Sequence, residues 1–183
     1  MSGFWAVPRS TGCSGFSAFL RNSAIFSLDF IGGASLSGAE YLLVSASGIL
    51  RSNFGTIAVT SGVGTSSVFN YGLVHSEGNA LTAYVFSKVA IRNLGDMTGI
   101  VTGIVTSEAT EVSLFNAGSL MSPNQAFWVA NPGAVPTIVQ LDNTGVMAGA
   151  VAVRIDGQQI TSFVNAGTMN GTGSILFRAD RVG

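Results

Sequence analysis

The sequence predicts an all-β fold, a single-stranded parallel β-solenoid of about seven coils with ~22 residues in each. Three observations predict it. The phrase apolar-x-Asn-x-Gly-x-apolar recurs, with asparagines at Asn53, Asn70, Asn93, Asn116, Asn143 and Asn165, spaced by 17, 23, 23, 27 and 22 residues. Within the phrase the apolar positions alternate with period two, which is the spacing of one strand face and not of a helix. A further apolar run follows each asparagine after about 10–13 residues, so each unit holds two or three short strands. Examples are Leu81–Phe86, Ala126–Val129, Ala150–Ile155 and Gly173–Phe177.

Such a unit cannot bury its apolar face alone, but stacked copies make one continuous core. Val68, Ile91, Leu114, Leu141 and Phe163 stand two residues before the asparagine. In the first copy Arg51 stands there instead. Ile57, Val74, Met97, Leu120, Met147 and Met169 stand four residues after it. Stacking places the asparagines in register, where their amides can hydrogen-bond up and down as a ladder. The glycines at the +2 position are Gly55, Gly72, Gly95, Gly118, Gly145 and Gly167. Each reads as a bend where φ is positive or where the next coil comes close. A β-sandwich or β-propeller is the alternative, because a single Asn-x-Gly is also an ordinary hairpin turn.

Taken with the Gly or Ser that follows it, the phrase resembles the repeats of autotransporter and filamentous-haemagglutinin-like β-helix passenger domains, over residues 30–178. The resemblance implies a bacterial, extracellular or cell-surface setting. It implies no activity, since such repeats serve adhesins, scaffolds and toxin stalks alike.

Residues 1–30 lack the period and hold Phe4, Trp5, Phe16, Phe19, Phe26 and Phe30 among Gly and Ser. Two readings are open, a cap over the first coil or an arm that adds to a neighbouring subunit. The solenoid proper is read as residues 31–183. Its first coil is degenerate, at Phe30–Leu36 with Tyr41–Val44, and fuller coils follow from residue 50. The longest gap, 116 to 143, carries Pro123, Asn131-Pro132-Gly133 and Pro136, which reads as a protruding loop. After Asn165 one strand remains, ending at Phe177, and no polar or proline-rich cap is expected beyond it. Seven coils at ~4.8 Å each make a rod of about 30–35 Å.

Charged residues are 9 % of the chain, against roughly 25 % in soluble domains. One lysine, Lys88, and seven arginines assemble no basic patch, so no nucleic-acid partner is expected. A net charge of −1 gives little repulsion between copies. Cys13 stands alone and excludes an internal disulfide framework. The N-terminal residues are not expected to be a secretory signal, and no apolar run is long enough for a transmembrane helix.

Candidates for chemistry are few. His75 is the only histidine and is expected to be solvated. Glu108 with Glu111, Asp142, Asp156 and the pair Arg92–Asp96 are candidates for acid/base or lyase groups, with turns and solvated faces as the alternative. Trp5, Trp128, Tyr71 and Tyr84 could stack on sugars, or pack in core and interfaces. No zinc spacing, calcium loop or phosphate-binding glycine motif occurs, so no cofactor is expected and no catalytic residue is named. The reading is a non-enzymatic, self-assembling extracellular or surface protein, a filament, matrix or adhesin subunit. Its assembly contacts are expected at Phe4, Trp5, Phe16, Phe19 and Phe177. The alternatives are a glycan-binding module or phage-spike-like shaft using the 123–136 loop, and a polysaccharide lyase.

Overall fold

A computed structural model describes residues 16–18, 23–30, 34–37, 41–52, 57–61, 65–85, 88–107, 109–130, 137–156 and 159–178. Phe4, Trp5 and Phe19 lie outside these residues. The chain winds as a parallel β-solenoid with three strand-bearing sides. Early strands are β1 (Phe16–Ala18), β2 (Ser23–Phe30), β3 (Ala34–Ser37), β4 (Tyr41–Ser52) and β5 (Ile57–Ser61). The next turn holds β6 (Thr65–Asn70), β7 (Leu73–Ser76) and β8 (Asn79–Val85). After it come β9 (Lys88–Asn93), β10 (Asp96–Gly99) and β11 (Thr102–Ser107). Another turn is β12 (Glu111–Asn116), β13 (Ser119–Met121) and β14 (Gln125–Ala130). The last two are β15 (Ile138–Asn143), β16 (Val146–Ala148), β17 (Val151–Asp156), and β18 (Gln159–Asn165), β19 (Thr168–Asn170), β20 (Gly173–Arg178).

One side is the eight-stranded sheet β1-β3-β5-β8-β11-β14-β17-β20. The other two sides form one twelve-stranded sheet, because β4 runs around a corner. Its Tyr41–Val44 half pairs with β6 and its Ile49–Ser52 half with β7. We call these two sides the ladder face (β6, β9, β12, β15, β18) and the second face (β7, β10, β13, β16, β19). The eight-stranded sheet is the third face.

The alternation seen in the sequence becomes burial. In β12, Val112, Leu114 and Asn116 point inward while Glu111, Ser113 and Phe115 are half-buried on the outside. Register then stacks like on like, Val68, Ile91, Leu114 and Leu141 on the ladder face. Val74, Met97, Leu120 and Met147 stack on the second face. The third face supplies Leu81, Ile104, Phe127 and Val153. These rows meet in one core that runs from Leu42 to Ile155. Apolar burial of this kind stabilises by ~25 cal/mol per Å² removed from water, the main term favouring the fold.

Two expectations change here. The phrase does not lie on one face: its asparagine ends a ladder-face strand, its glycine turns the corner, and its last apolar residue starts the second face. Complete turns with a closed core number about four, residues 65–156, rather than seven. A turn buries its inward side chains only between two neighbours, and in the last coil Phe163 and Met169 are just partly buried. Within residues 16–30, β2 pairs in parallel with β4, and β1 with β3.

Phe127 is fully buried, and Phe127→Ala is expected to cost about 3–5 kcal/mol in denaturant-induced unfolding. Thr106 occupies an inward position on the third face between Ala83 and Val129, and its buried hydroxyl has no hydrogen-bond partner. Thr106→Val should therefore raise stability by about 1 kcal/mol in the same measurement.

Candidate functional site

The most elaborate polar arrangement is the corner between the ladder face and the second face. Asn70, Asn93, Asn116 and Asn143 are each fully buried there. Asn70 Nδ2 donates to Asn93 Oδ1 (2.8 Å), and Asn93 Nδ2 to Asn116 Oδ1 (2.7 Å). Asn116 Nδ2 donates to Asn143 Oδ1, and Asn143 Nδ2 to Asn165 Oδ1, both at 2.7 Å. A buried amide must find partners for all its groups, because leaving one unmet costs about 1–3 kcal/mol. The second amide hydrogen therefore goes to the next coil's backbone. Asn70 Nδ2 reaches Asp96 O (3.2 Å), Asn93 Nδ2 reaches Ser119 O (3.0 Å) and Asn116 Nδ2 reaches Val146 O (3.1 Å). The first asparagine also accepts locally, Gly72 N donating to Asn70 Oδ1 at 3.1 Å.

The backbone keeps its pairing through the turn. Leu94 N and Gly95 N both donate to Asn70 O, and Asp96 N donates to Gly72 O. The same triplet recurs one coil up with Ala117, Gly118 and Ser119, and again with Thr144, Gly145 and Val146. Coils held this close leave no room for a side chain at the turn. A Cβ on Gly95 would strike the carbonyl oxygen of Gly72, one on Gly118 that of Gly95, and one on Gly145 that of Gly118. None of these glycines has φ in the left-handed region, so of the two readings of the glycine, close approach is the one that holds.

Asn53 and Gly55 lie outside the described residues. The strand before them pairs Ser52 with Ser76, and the position beside Asn70 is held by Val44. The described ladder therefore starts at Asn70. Ile57 opens a third-face strand rather than one on the second face. Phe16 lies in β1 and Phe177 in β20, where it pairs with Ile155.

The acid/base candidates are dispersed. Glu111 pairs with Lys88 at 2.6 Å, and Glu108 lies outside the described residues. Arg92 sits over the ring of Phe115, 4.9 Å from its centroid, whereas Asp96 faces outward on the second face. His75 stands 3.5 Å from Glu77 at the surface. Tyr71 and Tyr84 are 42 % and 48 % exposed. Among the described residues no three His, Cys, Asp or Glu side chains gather as a metal site. Among the same described residues no helix is long and apolar enough to cross a membrane.

One cluster was missed by sequence reasoning. On the third face Arg154 stacks over Trp128, 4.7 Å from the ring centroid. Asp156 accepts from Trp128 Nε1 (2.8 Å) and from Arg154 Nε (3.0 Å). Aligning Ala126-Phe127-Trp128 with Ala152-Val153-Arg154 in register would have revealed it. A shallow depression of about 360 Å³ lies at the ladder corner, where Ser47 and Gly48 of β4 border Tyr71, Leu73 and Asp96. No known family model, curated protein or solved structure matches the chain.

Asn116→Leu removes a rung with neighbours on both sides and is expected to cost about 3 kcal/mol in unfolding free energy. Gly118→Ala should cost about 1–3 kcal/mol through overpacking. Gly173→Ala, where a Cβ meets nothing nearer than 3.8 Å, should stay within about 0.5 kcal/mol. Equal losses at the two glycines would show that close stacking is not what selects glycine.

Proposed function

We propose that the chain is a structural, self-associating solenoid, a subunit of a filament, matrix or adhesive layer outside a bacterial cell. The observation that carries this reading is the edge of the last described coil. Among the described residues the strands β18, β19 and β20 each end their row, paired on one side only. That edge repeats the phrase of the coils beneath it, with Asn165 and Gly167 stacked on Asn143 and Gly145. Unpaired strand groups are a template for another chain. A stack whose ends differ forms heterologous, open-ended contacts, the geometry of fibres. Low charge supports the reading, since 9 % charged residues and a net charge of −1 oppose association weakly. So does the resemblance to β-helix passenger repeats. On the neighbouring subunit, the contact is assigned to the aromatic residues of the N-terminal segment.

A glycan-binding module is the second reading, favoured by the half-buried Trp128 held outward on the third face by Arg154 and Asp156. Aromatic faces of this kind suit sugar stacking.

Negative-stain microscopy and sedimentation of the intact chain across a concentration and salt series test the assembly reading. Particles that lengthen with concentration, and shorten when residues 1–15 are deleted, are expected. Single particles throughout would sink it, and saccharide binding lost in Trp128→Ala would put the glycan module in its place.

A further inference from the structure

Within the complete turns, the outer side of the ladder face carries four charged side chains, Lys88, Arg92, Glu111 and Asp142. Two of them are matched inside the chain, Glu111 pairing with Lys88 at 2.6 Å. The other two are not. Register places Arg92, Phe115 and Asp142 in one row, each from a successive coil. Arg92 and Asp142 therefore stand two strand spacings apart, about 9.6 Å, with Phe115 between them. The Arg92 guanidinium lies over the Phe115 ring, and among the described residues no carboxylate pairs with it. Asp142 is half-buried, and among the described residues no cation pairs with it. Taking a carboxylate partly out of water without a partner is unfavourable.

The row reads positive, aromatic, negative, with the two charges equidistant from Phe115. Turned end for end, such a row is its own complement. We infer that this face docks a second copy of the chain, related by a two-fold axis that lies along β12. The rotation keeps strand direction and reverses the order of the coils. On the axis Phe115 meets the partner's Phe115, a ring pair of the kind that adds to simple burial. Arg92 meets the partner's Asp142, and Asp142 meets the partner's Arg92. Beside them the small side chains of Ala90 and Ser113 let the sheets close to about 10 Å. Lys88 lays its aliphatic stem on the partner's Ile138, a side chain that is 38 % exposed in the single copy. Glu111 lies on the axis opposite its own copy, and each keeps its own Lys88. Packed sheets cross at about 30°, which shifts groups one coil from the axis by only ~2.4 Å, within the reach of an arginine.

Charge selects this arrangement over the other two-fold one. An axis along the stack would set Arg92 against the partner's Arg92 and Asp142 against the partner's Asp142, which is repulsive. Five strands of about six residues offer a face of roughly 20 by 24 Å, so the pair buries on the order of 1,000 Å² in total, the low end for a specific interface. The pair is accordingly a concentration-dependent one. It widens a rod where the assembly reading lengthens it, and it uses neither end of the stack.

Small-angle X-ray scattering of the full chain over a concentration series separates width from length. The cross-section should grow with concentration, and should shrink at about 1 M salt, where charges are screened beyond ~3 Å. Arg92→Asp and Asp142→Arg each replace two facing ion pairs by two like-charge contacts, so each variant alone should pair at least about tenfold more weakly. Mixed with each other, the two variants should pair as the unaltered chain does, because every facing position again holds opposite charges. Restored pairing also shows that both variants fold. Variants that pair alone as well as the unaltered chain overturn the inference. So does a mixture that stays unpaired while both variants keep the unaltered chain's unfolding midpoint. If either variant loses that midpoint, the salt series decides, and a cross-section unchanged at about 1 M salt overturns the inference. Rods that lengthen without widening keep the assembly reading and lose this one, whereas pairs that never lengthen do the reverse.

Discussion

Everything in this fold depends on the backbone of one coil being satisfied by the next, without interruption, around a corner. Strands do this easily along their length, but a corner normally costs several unpaired N–H and C=O groups. Here Asn70 O accepts two amides of the coil above and Gly72 O a third. The asparagine amide then bridges whatever the backbone leaves over. Closeness is what makes the bridging possible, and closeness is what forbids a side chain at the +2 position. Asparagine and glycine are thus two halves of one solution. The apolar rows on either side are in register because this corner admits no slippage.

The spacing of the corner is constant where the rest of the coil is not. Every turn from Asn70 onward crosses it with two residues between strands, as at Tyr71–Gly72 and Ala117–Gly118. The extra residues that stretch one asparagine interval to 27 fall in the sequence between β14 on the third face and β15 on the ladder face. Length is absorbed where the backbone is not held by the ladder, as loops generally absorb it.

That division explains what could be read from the residues alone. The solenoid, the inward positions from Val68 to Phe163 and the aligned asparagines were legible, because a recurring phrase imposes the same surroundings at each copy. The corner was less so: period-two spacing on both sides of Gly72 looks like one continuous strand, and only the pairing of β4 with both β6 and β7 reveals the bend. Asn53 carries the same phrase by letter, yet Val44 sits at the ladder position beside Asn70. Phrase and register are different things, and only the second decides a neighbour. The Trp128, Arg154 and Asp156 contact was invisible for a related reason. Outer-face partners come from adjacent coils, and they are found only after strands have been aligned.

Backbone dipoles largely cancel in a sheet, because neighbouring N–H and C=O groups alternate in direction. The asparagine amides do not alternate. Each points the same way along the stack, so their dipoles add, and aligned hydrogen bonds in a low-dielectric interior polarise one another. The rod therefore carries an electrical sense of direction at one corner, relatively positive toward its C-terminal end, in a molecule whose formal charge is almost nil.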